Sequence, residues 1–121
     1  MVTFLLKKSY QLNNLKEVPF KDLWGSRGVF TTIRMIGRPP KLLLLKPHLE
    51  NLIKSTKKYG IIKKNLRSIL NDLIKKNLIY KGPDNLFRIA LNKKFISISI
   101  RKRPTPKANF NLKLFKYKRI D

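Results

Sequence analysis

The first half of the chain carries a pattern of β-branched and aromatic residues that predicts a β-hairpin. Residues 28–36, GVFTTIRMI, have the composition of a strand. The next four residues, GRPP, supply turn chemistry, because glycine accepts a positive φ and proline cannot extend a central strand. Residues 41–45, KLLLL, are then expected to return as a second strand.

Two amphipathic helices are predicted after the hairpin. The first is expected to begin near Pro47, because proline is tolerated in a first helical turn, and to end at Gly60. The second has apolar residues at three- and four-residue spacing, with charged and polar residues on the opposite side. This stripe predicts a helix whose apolar face joins the core. Its members are Leu66, Ile69, Leu70, Leu73, Ile74 and Leu78.

The remaining segments predict further strands. Residues 85–91 and 95–101 form a pair joined through residues 92–94, and isoleucine alternates with serine along the second of them. Residues 110–117 alternate again, and a short strand is expected at residues 2–6. Strands, then two helices, then strands indicate an α+β fold rather than an alternating α/β fold. With 121 residues, the whole chain is expected to form one domain.

The net charge is strongly positive. Lysine and arginine number 29 against 6 acidic residues, which gives a formal charge of +23. One interpretation is an electrostatic footprint for an anion, either a nucleic-acid backbone or a phosphate-bearing ligand. The other is codon bias, because lysine, isoleucine and asparagine have AT-rich codons and the lysines are spread along the chain. Charge alone leaves both interpretations open.

Residue counts exclude most catalytic arrangements. The chain has no cysteine and one histidine, and its 6 acidic residues are scattered, so neither a metal site nor a catalytic carboxylate pair is expected. His48 has no nucleophile motif nearby and is interpreted as a helix-entry or packing residue. No catalytic residue and no metal ligand is therefore predicted.

Five short motifs occur in order along the chain. They are WG at 24–25, GVFTTIR at 28–34, HLENL at 48–52, YGI at 59–61 and NLFRIA at 85–90. Together they resemble the N-terminal small domain of class IV (fold-type IV) pyridoxal-phosphate (PLP) enzymes. That family includes branched-chain and D-amino-acid aminotransferases and aminodeoxychorismate lyase, to which the FTT variant is most similar. The resemblance implies a small α+β domain with a mostly antiparallel sheet and two helices packed on it.

The resemblance also implies roles for individual residues. Arg88 and Arg34 would bind substrate, Arg88 through the substrate carboxylate, while Trp24 and Phe30 would shape the pocket. Asn51 stands where the family has the arginine that grips the cofactor phosphate, so a neutral amide replaces a charged planar group. The implied chemistry is transamination of an amino acid or cleavage of a chorismate-derived substrate.

The family's Schiff-base lysine lies in a second, larger domain, and no lysine of this chain matches it. The resemblance therefore implies a truncated or split enzyme that lacks the C-terminal PLP-lysine domain. A separate chain or a homo-oligomer would have to complete the site, and PLP would bind only then. Alone, the chain is expected to show no turnover, because PLP chemistry needs that amine.

A small basic nucleic-acid-binding protein is the alternative. Cations and aromatic residues are interleaved near the C-terminus, which suits phosphate contacts and base stacking. The residues concerned are Lys113, Lys116, Lys118 and Arg119, with Phe110, Phe115 and Tyr117.

No membrane partner is expected. The chain has no apolar run close to the roughly 20 residues that a membrane helix needs, and its N-terminal segment lacks the features of a secretory signal. A cytoplasmic location is the expectation.

Overall fold

The computed structural model describes residues 4–23 and 27–103. These residues form a small α+β domain with a six-stranded antiparallel sheet and two helices. The strands are β1 (Phe4–Gln11), β2 (Glu17–Val18), β3 (Val29–Ile36), β4 (Lys41–Leu42), β5 (Asp84–Leu91) and β6 (Phe95–Lys102). The helices are α1 (Leu45–Thr56), which continues into a 3-10 turn at Lys57–Tyr59, and α2 (Leu66–Asn77).

The strands are arranged in the order β2-β1-β6-β5-β3-β4. The four long strands occupy the centre, and the two-residue strands β2 and β4 form the edges. β1 pairs with β6, so the first described strand of the chain lies beside the last. β2 pairs only with Ser9 and Tyr10 of β1, and β4 only with Met35 and Ile36 of β3, so among the described residues the rest of the outer edges of β1 and β3 has no strand partner.

Both helices pack on one face of the sheet. The Thr31 hydroxyl on β3 lies 2.9 Å from Nδ1 of His48 on α1, and the Asn77 side chain on α2 donates to the Tyr10 hydroxyl on β1 at 3.1 Å. The core between the layers is apolar, as burial of hydrophobic side chains requires. Its buried members include Ile33, Phe87, Ile89, Ile96, Ile98 and Ile100 from the strands and Leu49, Leu52, Leu70 and Ile74 from the helices.

The opposite side of the sheet, called the far face below, carries the alternate residues of each strand. Because Thr32 is paired with Arg88 and Arg88 with Ser99, side chains there lie in rows across the strands. The far-face residues are Lys7 and Ser9 on β1, Ser97, Ser99 and Arg101 on β6, Leu86, Arg88 and Ala90 on β5, and Phe30, Thr32 and Arg34 on β3.

Most of the predicted elements are confirmed. The strands predicted at 28–36, 85–91 and 95–101 and the helix over the 66–78 stripe match β3, β5, β6 and α2. The first helix ends as expected at Gly60, whose φ of 65° is the left-handed conformation that glycine adopts without strain.

Two strand predictions need correction. The strand predicted at 41–45 ends at Leu42, because Leu44 turns into the left-handed region and α1 begins at Leu45. The short strand predicted at 2–6 is instead the eight-residue β1, extended by pairing with β6. The strand predicted at 110–117 lies outside the described residues.

Candidate functional site

Arg88 and Phe30 form a stacked pair on the far face. Arg88 points from β5 and Phe30 from the neighbouring strand β3, one row away. The Arg88 guanidinium carbon lies 4.7 Å from the centre of the Phe30 ring, which is a cation–π contact. The Nε atom of Arg88 is buried, whereas Phe30 is 56% exposed. The ring therefore orients the guanidinium while one side of the pair stays accessible.

Arg34 lies on the same face but is held by an acidic residue. Its Nε and Nη2 atoms donate to the two carboxylate oxygens of Asp84 at 3.2 and 3.1 Å, and Arg103 donates to the same carboxylate at 3.2 Å. The hydrogen bond from Arg34, together with the charges of Arg34 and Arg103, holds the pKa of Asp84 below its ordinary value. Arg34 is thus anchored at the end of the sheet where β5 begins.

A segment of chain crosses the far face beside the Arg88–Phe30 pair. Ser9 on β1 and Ser97 on β6 are paired and buried, and their hydroxyl oxygens lie 2.6 Å apart. The Lys21 amide donates to Ser9 at 2.8 Å, and Ser97 donates to the Lys21 carbonyl at 2.7 Å. We call this hydrogen-bonded ring of Ser9, Ser97 and the Lys21 backbone the serine clamp. Ser97 is also paired with Ala90, and Ala90 with Phe30, so the clamp lies in the same row as the Phe30 ring.

The residues that the sequence singled out do not all meet. Arg88, Arg34 and Phe30 share the far face. Asn51 is exposed on α1, in the layer that covers the other face of the sheet. Trp24 lies outside the described residues. The structure thus brings together the predicted carboxylate-binding residues and leaves the predicted phosphate position apart from them.

The described residues alone do not fit PLP. Asn51 would have to contact the cofactor phosphate from the helix layer, while Arg88 would bind substrate on the far face, with the sheet between them. A group that bridges the substrate and the phosphate position cannot pass through a hydrogen-bonded sheet. In residues 4–23 and 27–103 there is also no group of three or more potential metal ligands.

His48 occupies a structural position. It is the fourth residue of α1, is half-buried and contacts the Thr31 hydroxyl across the helix–sheet interface. This geometry agrees with the prediction of a helix-entry or packing residue.

Sequence reasoning missed a basic cleft at the opposite end of the sheet from Asp84. The cleft has a volume of about 650 Å³ and lies where the 3-10 turn meets the turn that joins β5 and β6. Of the described residues that line it, four are cations and none is acidic, and the four cations come from three separate parts of the chain. The spread of lysines along the sequence hid this grouping. They are Arg27, Lys58, Lys93 and Lys94.

No family model, curated protein or solved structure gives a significant match to this chain. In the part of the chain that the structure describes, no helix has both the length and the apolar character needed to cross a membrane.

Proposed function

We propose that this chain is the small domain of a class IV PLP-dependent enzyme and that its far face binds the carboxylate of the substrate through Arg88. The substrate would be an amino acid or a chorismate-derived amine. A second domain, on another chain or another copy, would hold PLP and provide the reactive lysine. PLP enters the proposal only as a group held by that domain.

One observation carries the proposal. Arg88 stands on the face of the sheet that the helices leave uncovered, and Phe30 stacks on its guanidinium at 4.7 Å. A planar guanidinium fixed in orientation presents paired donors that match the two oxygens of a carboxylate. The stacking also reduces the side-chain entropy that binding would otherwise cost.

Arg34 has a different part in this arrangement. Asp84 already accepts two hydrogen bonds from its guanidinium, so a substrate carboxylate would have to displace an internal one. In the proposed site Arg34 supports the positive charge of the far face, and Arg88, oriented by Phe30, makes the direct contact. The element order and the antiparallel sheet under two helices are compatible with the class IV small domain.

The experiment is a titration of isotopically labelled chain with pyruvate, a small 2-oxo acid, followed by NMR. We expect saturable shifts of the Arg88 Nε–H signal. Arg88→Gln should abolish the pyruvate-dependent shifts of neighbouring far-face amides. Arg88→Lys should weaken binding about tenfold, because lysine keeps the charge but lacks the planar donor pair.

The matched control is Arg67→Gln, which removes one exposed cation from α2. It should leave the titration unchanged. Loss of binding in the control to the same extent as in Arg88→Gln, or equal shifts with chloride, would show that general charge attracts the anion and would contradict the proposal.

The nucleic-acid alternative rests on phosphate and stacking residues that lie outside the described ranges, so the structure does not test it at those residues. The charge of +23 is compatible with it.

A further inference from the structure

The basic cleft differs in position from the far face and in chemistry from a carboxylate site. It lies at the end of the sheet where β5 gives way to β6, whereas Arg34 and Asp84 lie at the opposite end. We propose that this cleft binds the phosphates of a nucleotide, either free or as part of a single strand. This proposal does not depend on the enzyme assignment.

Two cations of the cleft, Lys93 and Lys94, lie in a turn whose backbone is fixed by hydrogen bonds. Asn92 forms a turn in which its side-chain oxygen accepts hydrogen bonds from the amides of Lys94 and Phe95, both at 2.8 Å. The Lys94 carbonyl accepts a further hydrogen bond from the Leu12 amide at 2.8 Å. The turn is therefore fixed on both sides, and the two lysines leave it from defined positions.

Gly60 forms the other wall. It closes the 3-10 turn with a positive φ, directly after Lys58 and Tyr59. A side-chain β-carbon at Gly60 would lie 3.1 Å from Cε of Lys93 and 3.5 Å from its Nζ. The end of the Lys93 side chain thus lies against Gly60, where a larger residue would crowd it.

The electrostatics of the cleft favour a multiply charged anion. Among the described residues, no ion pair involves the four cations of the cleft, whereas Lys8, Arg34, Arg67 and Arg103 each pair with a carboxylate. Like charges gathered in a concave site repel one another and concentrate field lines, and a phosphate relieves that repulsion. Lysine binds phosphate as a point charge.

The size and the aromatic residues indicate more than inorganic phosphate. A volume of about 650 Å³ is in the range of sites for nucleotide-sized ligands. Tyr59 lines the cleft and also packs against the core, and a second cleft of about 270 Å³ shares Lys93 and Lys94 with the first and is lined by Phe95 as well. Aromatic rings beside a cationic track are the combination that holds a base and its phosphates.

The test measures binding of ATP and of a short fluorescent oligothymidylate at about 150 mM salt, where exposed charges are well screened. The Lys58→Gln/Lys93→Gln variant should weaken binding about tenfold or more relative to the unaltered chain. The control, Lys41→Gln/Lys81→Gln, removes two exposed lysines from the other end of the sheet and should change affinity less than about twofold. ATP binding would identify a free nucleotide as the ligand, and oligothymidylate binding without ATP binding would identify a single strand.

A second readout on the unaltered chain locates the site independently of the variants. Titration with the bound probe should shift the amide signals of Gly60 and Asn92–Lys94 and leave those of Gly37 and Gly82 in place. Absence of binding by both probes, equal weakening in both double variants, or shifts spread over all these glycines would overturn the proposal.

Discussion

The serine clamp should stabilise the fold, and part of its contribution to the free energy of unfolding should depend on both serines together. Each hydroxyl takes part in two hydrogen bonds: Ser9 with the Lys21 amide and Ser97, and Ser97 with Ser9 and the Lys21 carbonyl. A net contribution of about 1 kcal/mol per hydrogen bond gives about 2 kcal/mol for either single alanine variant.

The double variant shows whether the two serines are energetically coupled or contribute independently to stability. Ser9→Ala and Ser97→Ala share the bond between the hydroxyls, so together they remove three hydrogen bonds rather than four. The double variant should therefore lose about 3 kcal/mol, which leaves a coupling of about 1 kcal/mol between the two sites. Urea denaturation followed by far-UV circular dichroism measures these free energies of unfolding.

Ser99 provides the matched control. It is 6% exposed, lies on the same face of β6 and makes no side-chain hydrogen bond within the described residues. Ser99→Ala should change the free energy of unfolding by less than about 0.5 kcal/mol. The proposed coupling would be refuted if the two single-variant losses of unfolding free energy added up in the double variant. It would also be refuted if Ser99→Ala cost as much as Ser97→Ala.

Two further predictions concern the ends of the sheet. Because the pKa of Asp84 is lowered from 3.8 by Arg34, its stabilisation is present above that pH and is lost as the pH falls through the lowered value. Asp84→Asn should cost about 1 kcal/mol at pH 7, and urea titrations should show the difference vanish in acid; a constant difference would contradict this. At the other end, a β-carbon on Gly28 would overlap the Leu91 carbonyl oxygen and lie 3.2 Å from Cβ of Asn92. Gly28→Ala should destabilise the chain by about 1–3 kcal/mol in the same assay, and an unchanged midpoint would show that β3 shifts at no cost.

The helices and the strands β3, β5 and β6 could be predicted because their local patterns agree with their packing. The alternation in β6 and the stripe in α2 each mark one buried face, and both elements occur where expected. The turn at Gly60 was predictable for the same reason, since one residue type suits its backbone conformation.

Features that depend on contacts between distant segments could not be predicted from the sequence. β1 contains Lys7, Lys8 and Ser9, which do not form a strand pattern, yet Ser9 is fully buried because β6 and the Lys21 segment enclose it. The partner of Arg34 lies 50 residues away and reaches it only through the β3–β5 register. The basic cleft likewise gathers cations from three segments that share no local motif.

The resemblance to class IV enzymes predicted a common site for residues that the structure separates. Arg88 and Phe30 are adjacent, as a substrate-binding wall requires. Asn51 lies in the helix layer, so the phosphate contact and the carboxylate contact cannot belong to one pocket made by these residues alone. In the proposed enzyme, PLP would therefore have to be held by a second domain.

The proposed function is tested by an amino-group transfer assay in the presence of PLP, with and without a separately produced class IV PLP-lysine domain. We expect no turnover by the chain alone and turnover by the mixture, which Arg88→Gln suppresses and Arg67→Gln does not. Turnover by the purified chain alone would contradict the proposal, because the amine would then be one of its own.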